Sequence, residues 1–82
     1  MEDFMDISEI INQINSCFKD KLSGCRIEQA GNNKKAIFDY NENFDLDKDV
    51  GEVRTIVEEN SDGNPFNLTF DYEDMFFTIV NK

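Results

Sequence analysis

Ile7, Ile10, Ile11, Ile14, Cys17, Phe18 and Leu22 recur at i, i+3, i+4 and i+7 along residues 6–22, DISEIINQINSCFKDKL. That period gathers them on one side of a helix, so the segment reads as an amphipathic helix with one apolar stripe and one packing partner. Asp6 followed by Glu9 fits a capping box with Asp in place of the usual Ser or Thr. Lys19 and Lys21 fall in the predicted last turn, where cations suit the helix dipole, and Gly24 is placed to close the helix in a left-handed conformation.

Beyond Gly24 the period changes to two. Residues 25–30, CRIEQA, and 34–40, KKAIFDY, flank Gly31-Asn32-Asn33 and read as a hairpin. Ala36, Phe38 and Tyr40 share one face of its second strand, Ile37 and Asp39 the other. Residues 44–50 also alternate: Phe44, Leu46, Lys48 and Val50 against Asp45, Asp47 and Asp49. Residues 50–59, VGEVRTIVEE, fit two periods. Val50, Val53, Ile56 and Val57 have helical spacing, with Asp49 and Glu52 able to cap. Val53, Thr55 and Val57 alternate in a β-branched run, which favours strand. Asn60-Ser61-Asp62-Gly63-Asn64-Pro65 is a turn cluster. The strands FNLTFDY and MFFTIV follow, separated by Glu73-Asp74, and the second is apolar on both faces, which suits a central or doubly covered position. The expectation is an α+β domain spanning residues 1–82. One N-terminal amphipathic helix packs on a mostly antiparallel sheet of four to five strands. The predicted core is Ile7, Ile10, Ile11, Ile14, Phe18, Phe38, Leu68, Phe70, Phe77 and Ile79.

Composition changes this picture in two places. The 39% apolar content with eight Phe supplies a small core in 82 residues, so disorder is not expected despite the charge. The net charge of −10 is unevenly placed. Residues 1–35 hold six acids and five bases, whereas residues 36–81 hold twelve acids against Lys48 and Arg54. Such a field repels nucleic acid and anionic lipid and attracts basic surfaces. The opening MEDFMDISEI is acidic where an export signal needs positive charge, and no run approaches the roughly 18 apolar residues of a membrane span. A cytoplasmic location is therefore expected, with Cys17 and Cys25 either reduced and buried as small apolar residues or bridged to each other.

The chemistry the chain could hold is narrow. A calcium loop starting at Asp45 puts Val50 where Gly is needed and Ile56 where the bidentate carboxylate is needed; starting at Asn43 puts Lys48 and Arg54 there. There is no His, the glycines are isolated, and two Cys cannot complete a zinc site. No catalytic residue, metal site or cofactor is expected, and the protein does not read as an enzyme. Asn67-Leu68-Thr69 is a glycosylation sequon inside a predicted strand, and Asn64-Pro65-Phe66 reads as a turn entering that strand.

What remains is the acidic surface. If residues 44–50 are extended, Asp45, Asp47 and Asp49 project from one side about 6.6–7 Å apart, close to phosphate spacing on a nucleic-acid strand. Asp39, Glu42 and Glu52 flank that row; Glu58, Glu59 and Asp62 would form a second patch, and Asp71, Glu73 and Asp74 a third. The alternative is a solvated sheet face whose carboxylates discourage aggregation.

The segment ISEIINQINSCFKDKLSG, with its Lys21-Leu22-Ser23-Gly24 exit, resembles the N-terminal helix of one small anti-CRISPR family that inhibits an RNA-guided nuclease. In size, charge and lack of His the chain also resembles the wider group of small acidic phage-encoded inhibitors and DNA mimics. The resemblance covers about 18 residues. It implies occupation of a basic, arginine-lined DNA groove by acidic side chains. That family places its acids in C-terminal helices, whereas here the end reads as strand, so no binding residue carries over. The expected function is inhibition of a nucleic-acid-processing enzyme, foremost a CRISPR or other phage-defence nuclease. The partner would be a protein with a basic, nucleic-acid-binding surface, and there would be no direct nucleic-acid or membrane binding. An immunity protein or antitoxin for a cognate toxin, and a non-catalytic regulatory subunit, are the competing readings. The expected partner-binding residues are Asp39, Glu42, Asp45, Asp47, Asp49, Glu52, Glu58 and Glu59.

Overall fold

The isoleucine stripe forms helix α1, Ile7–Cys17, with Ile7, Ile10, Ile11 and Ile14 buried. The structure is a computed structural model that describes residues 7–31, 33–60 and 66–81. Asp6 and residues 61–65 of the turn cluster, with Asp62, lie outside the described residues. The helix ends at Cys17, five residues before the predicted boundary. Phe18 donates its amide to the Ile14 carbonyl and accepts from Lys21, so the chain turns over residues 18–21 while the Phe18 ring stays buried. Leu22 belongs to the next element because its backbone pairs with Tyr40. Gly24 therefore lies in a strand, beside a bulge, and does not cap the helix.

Strands β1, Leu22–Ala30, and β2, Asn33–Tyr40, form the predicted hairpin. Ala30 pairs with Asn33, and Gly31 takes a φ of 66° in the connection, a conformation that glycine adopts without steric cost. Helix α2 spans Asp49–Glu59, and strands β3, Phe66–Asp71, and β4, Phe76–Asn81, complete the chain. The architecture is α+β, with two helices and an antiparallel open sheet of four strands in the order β1-β2-β4-β3. No fifth strand forms among the described residues. The last strand occupies the central position its two apolar faces implied.

The strand readings of residues 44–50 and 50–59 are corrected. The first is a loop and turn, and the second is α2. Val53 and Val57 are buried one helical turn apart, with Val50 and Ile56 packed partly against the same core. Helical spacing thus overrides the β-branched composition, because β preference reflects packing on a pleated surface more than the backbone itself.

One core joins the two helices to one face of the sheet. Ala36, Phe38 and Tyr40 from β2 meet Phe77 and Ile79 from β4 and Phe66 from β3, with Leu68 and Phe70 half-buried. Eight of the ten predicted core residues are buried, and Ala36, Ile37, Tyr40, Phe44, Val53, Val57 and Phe66 are buried beside them. At its centre Phe77 stacks on Phe38 with ring centroids 4.9 Å apart and meets Phe70 at the same distance. The opposite face carries Ile37, Phe76, Thr78 and Val80, and no helix among the described residues covers it. No helix among those residues is long and apolar enough to cross a membrane.

Candidate interaction surface

The aspartates of residues 45–49 follow the backbone of a turn. Asp45 accepts from the Asp47 amide through Oδ1 at 2.9 Å. The Lys48 and Asp49 amides both donate to the Asp45 carbonyl. Aspartate side chains mimic turn hydrogen bonds in this way, and strands are depleted in them for the same reason. The predicted row at phosphate spacing is therefore not formed.

Asp49 moves furthest from its expected role. It is 1% exposed, at the start of α2. Its Oδ2 accepts from Lys21 Nζ at 2.8 Å and from the Asp45 amide at 2.9 Å. It is a structural anchor tying the 45–49 loop to the turn after α1, and its side chain is withdrawn from solvent. It also does not cap α2, since its carboxylate reaches back to the preceding loop. Burial pushes its carboxyl upward. The hydrogen bonds from Lys21 and Asp45, together with the positive charges of Lys21 and Lys48, outweigh that and hold it below the usual aspartate range.

The rest of the loop is fixed by asparagines and one ring. Asn41 and Asn43 donate their side-chain amides to the Asp20 carbonyl, and the Asn41 amide donates to Lys21 O at 3.0 Å. Phe44 is buried against Phe18, Tyr40, Phe70 and Phe77, and so nails the loop to the end of the sheet. Glu42, Asp45 and Asp47 stay exposed, as do Glu52, Glu58 and Glu59 on α2.

That anchoring brings together two acidic stretches far apart in the chain. Tyr40 donates its amide to Met75 O at 3.0 Å, so the end of β2 lies beside the β3–β4 turn, residues 72–75. There Asp71 Oδ1 accepts from the amides of Glu73 and Asp74 at 3.0 and 2.9 Å, leaving the Glu73 and Asp74 side chains exposed. Glu42, Asp45 and Asp47 thus share one end of the molecule with Glu73 and Asp74. Asp39 is near this end but on the uncovered sheet face, half-exposed, with Arg26 at 3.9 Å. Glu58 and Glu59 lie about 10 Å further along α2 from Glu52, at 1.5 Å rise per residue, and do not join the group. There Asn60 bonds to Gln13 of α1.

Sequence reading missed the apolar component of this end. Leu46 is 47% exposed, Tyr72 57% and Met75 38%, and all three sit in the turns that carry the acids. Alternation sets Leu46 on the same side as buried Phe44, but the turn geometry carries it outward. Met75 has a φ of 61°, the left-handed region that a side chain rarely adopts. Replacing it by glycine is expected to raise stability by about 0.5–1 kcal/mol, because the left-handed backbone no longer works against a Cβ. Thermal or urea unfolding checks this.

Cys17 and Cys25 are both free and exposed, against the expectation that they are buried or bridged. Cys17 falls at the end of α1, where the stripe meets a shallow groove lined also by Lys48, Gly51, Glu52, Thr55 and Ile56. Partial burial pushes the Cys25 thiol up, opposed by a hydrogen bond with Asn15. Among the described residues no group of three or more His, Cys, Asp or Glu is arranged to share a metal ion. Comparison with known protein families, characterised proteins and solved structures finds no match to this chain.

Proposed function

We propose that the protein is a small acidic interaction module that inhibits a nucleic-acid-processing enzyme, with phage-defence nucleases foremost, by covering its basic substrate groove. The observation that carries this reading is the mixed character of one end of the fold. Glu42, Asp45, Asp47, Glu73 and Asp74 surround exposed Leu46, Tyr72 and Met75. Carboxylates kept only for solubility need no apolar neighbours. Protein interfaces use aromatic and Met side chains as anchors within a polar rim. The acids steer a Lys/Arg-lined groove toward the contact, and the apolar residues hold it. The left-handed Met75 adds support, since strained backbone is retained where a side chain must be presented. Glu58 and Glu59 lie in the last turn of α2, where no base offsets them and the helix dipole disfavours them, so they extend the negative field beyond what the fold needs.

The test is cleavage by purified defence nucleases, CRISPR effectors first, with and without the protein across a salt titration. Inhibition should weaken as salt rises. The quadruple variant Asp45→Asn, Asp47→Asn, Glu73→Gln, Asp74→Asn should fold and inhibit about tenfold less well. Tyr72→Ala should weaken inhibition with little change in its salt dependence. Inhibition unaffected by salt and by the quadruple variant would sink charge competition and favour a regulatory subunit that binds through apolar area.

A further inference from the structure

Among the described residues no strand pairs with the outer edge of β1. β1 is terminal in the strand order, nine residues long, and its residues 25–29 are all exposed. Edge strands are usually blunted by Pro, Lys, shortness or a central bulge, because a bare edge pairs with other chains. β1 has no Pro and no Lys, and its one irregularity lies at the Leu22–Gly24 end. Its central side chain, Ile27, is 53% exposed.

The sequence of that edge reads as its own complement. In an antiparallel pair of two β1 strands centred on Ile27, Ile27 faces Ile27. Arg26 of each copy then faces Glu28 of the other, and Cys25 faces Gln29. Both Arg–Glu pairs fall on the uncovered sheet face, because Arg26 shares a cross-strand row with Ile37 and Glu28 one with Lys35. Each row then runs Lys35, Glu28, Arg26 of the second copy, with charges alternating in sign. Arg26 is free to take part, since its side chain is 60% exposed and its contact to Asp39 is a long 3.9 Å. Moving the centre by one residue sets Arg26 against Arg26 or Glu28 against Glu28 and loses both pairs.

Charge also selects this edge. Residues 24–40 carry Arg26, Lys34 and Lys35 against Glu28 and Asp39, a local +1 in a chain of −10. Two copies can therefore approach here with their acidic ends pointing away from each other, where repulsion is least.

We propose that the protein self-associates through β1, antiparallel about Ile27, to form a two-fold dimer with a continuous eight-stranded sheet. The dimer leaves the acidic end of each copy free, so this inference stands apart from the proposed inhibitory function. Sedimentation from micromolar to submillimolar protein should show the mass doubling. Arg26→Glu sets like charges opposite each other twice and should weaken the dimer about tenfold. The swap Arg26→Glu with Glu28→Arg should restore it. A second measurement needs no charge change. With Cys17→Ser, the Gln29→Cys variant places each new thiol opposite Cys25 of the second copy, within reach of a disulfide, whereas Cys25 and its own symmetry mate are about 13 Å apart along the strands. Oxidised glutathione should then link Q29C, and not the Cys17→Ser parent, into a covalent dimer. A monomer throughout the range, a dimer indifferent to Arg26→Glu, or failure of Q29C to cross-link would each overturn the proposal; circular dichroism verifies that every variant folds.

Discussion

Replacing Phe77 by alanine is expected to remove a large share of the domain's stability. Phe77 is fully buried in the central strand, and its ring meets Phe38, Phe70, Phe44 and Tyr40 at centroid distances of 4.9, 4.9, 5.8 and 6.4 Å. Truncating such a residue costs about 3–5 kcal/mol, from lost transfer energy and from the cavity that rigid neighbours fail to fill. The rings around it are fixed by the sheet and by the loop that Phe44 anchors, so little collapse is available. A chain of 82 residues has a total stability of roughly 4–12 kcal/mol. Urea unfolding followed by circular dichroism reads the result as a collapse of the midpoint. Phe77→Leu keeps most of the volume and should cost about 1–1.5 kcal/mol. Phe76→Ala is the control: its side chain lies on the uncovered face, and it should cost clearly less than Phe77→Ala. A larger loss from Phe76→Ala than from Phe77→Ala would mean that the sheet faces have been assigned the wrong way round.

That contrast also marks what the sequence could reveal. Where one face is buried, the side-chain period is readable. Phe77 and Ile79 separate from half-buried Phe76, Thr78 and Val80, the set Ala36, Phe38 and Tyr40 is readable although Ile37 between them is buried too, and the isoleucines of α1 declare their stripe. The boundaries depended on what the chain met next. Leu22 continues the helical spacing of α1, yet Tyr40 claims it for the sheet, and no local feature of residues 17–24 announces that pairing. In residues 49–59, Val53 and Val57 fit both periods. The arbiter was present in Asp49 and Glu52, acids suited to a first helical turn, and in the polar side left to Gly51, Glu52, Arg54, Glu58 and Glu59.

The candidate surface was legible in charge but not in geometry. A run of alternating aspartates has the pattern of a half-buried strand, but Asp is a turn former. Here the side-chain and main-chain oxygens of Asp45 fold residues 45–49 back on themselves. Exposure of Leu46 and burial of Asp49 both follow from that turn, and they reverse the assignment that alternation gave them. The joining of Asp45 and Asp47 with Glu73 and Asp74 depends on β2 ending beside the β3–β4 turn. That is a consequence of the strand order β1-β2-β4-β3, which no local pattern encodes.

Asp49 carries the second large effect, and it makes stability depend on pH. Its folded carboxyl titrates below the ordinary aspartate value of about 3.9. The deprotonated form is therefore the one that folding favours. Its contribution is complete above the unfolded value and is lost as pH falls from there through the lower, folded one. For Lys21 the hydrogen bond to Asp49 raises the ammonium, partly opposed by burial and assisted by the charges of Asp49, Glu52 and Asp45. That contribution is complete below the ordinary lysine value and is lost as pH rises through the folded one, so near neutrality both partners hold. At neutral pH Asp49→Ala should cost about 2–3 kcal/mol, since it removes the acceptor of the Asp45 amide and of the Lys21 ammonium from a buried position. Asp49→Asn should cost less, because its amide oxygen can still accept from Asp45. Acid titration then separates the two roles. Below about pH 4 the parent should converge on Asp49→Asn, the difference between them cancelling the general relief of repulsion among the other carboxylates. Lys21→Met should keep the loop but move the parent's acid transition upward, as the carboxyl loses the cation that holds it ionised. If the stability gap between parent and Asp49→Asn stays constant from neutrality into acid, the buried pair is not what fixes the loop that carries Asp45 and Asp47.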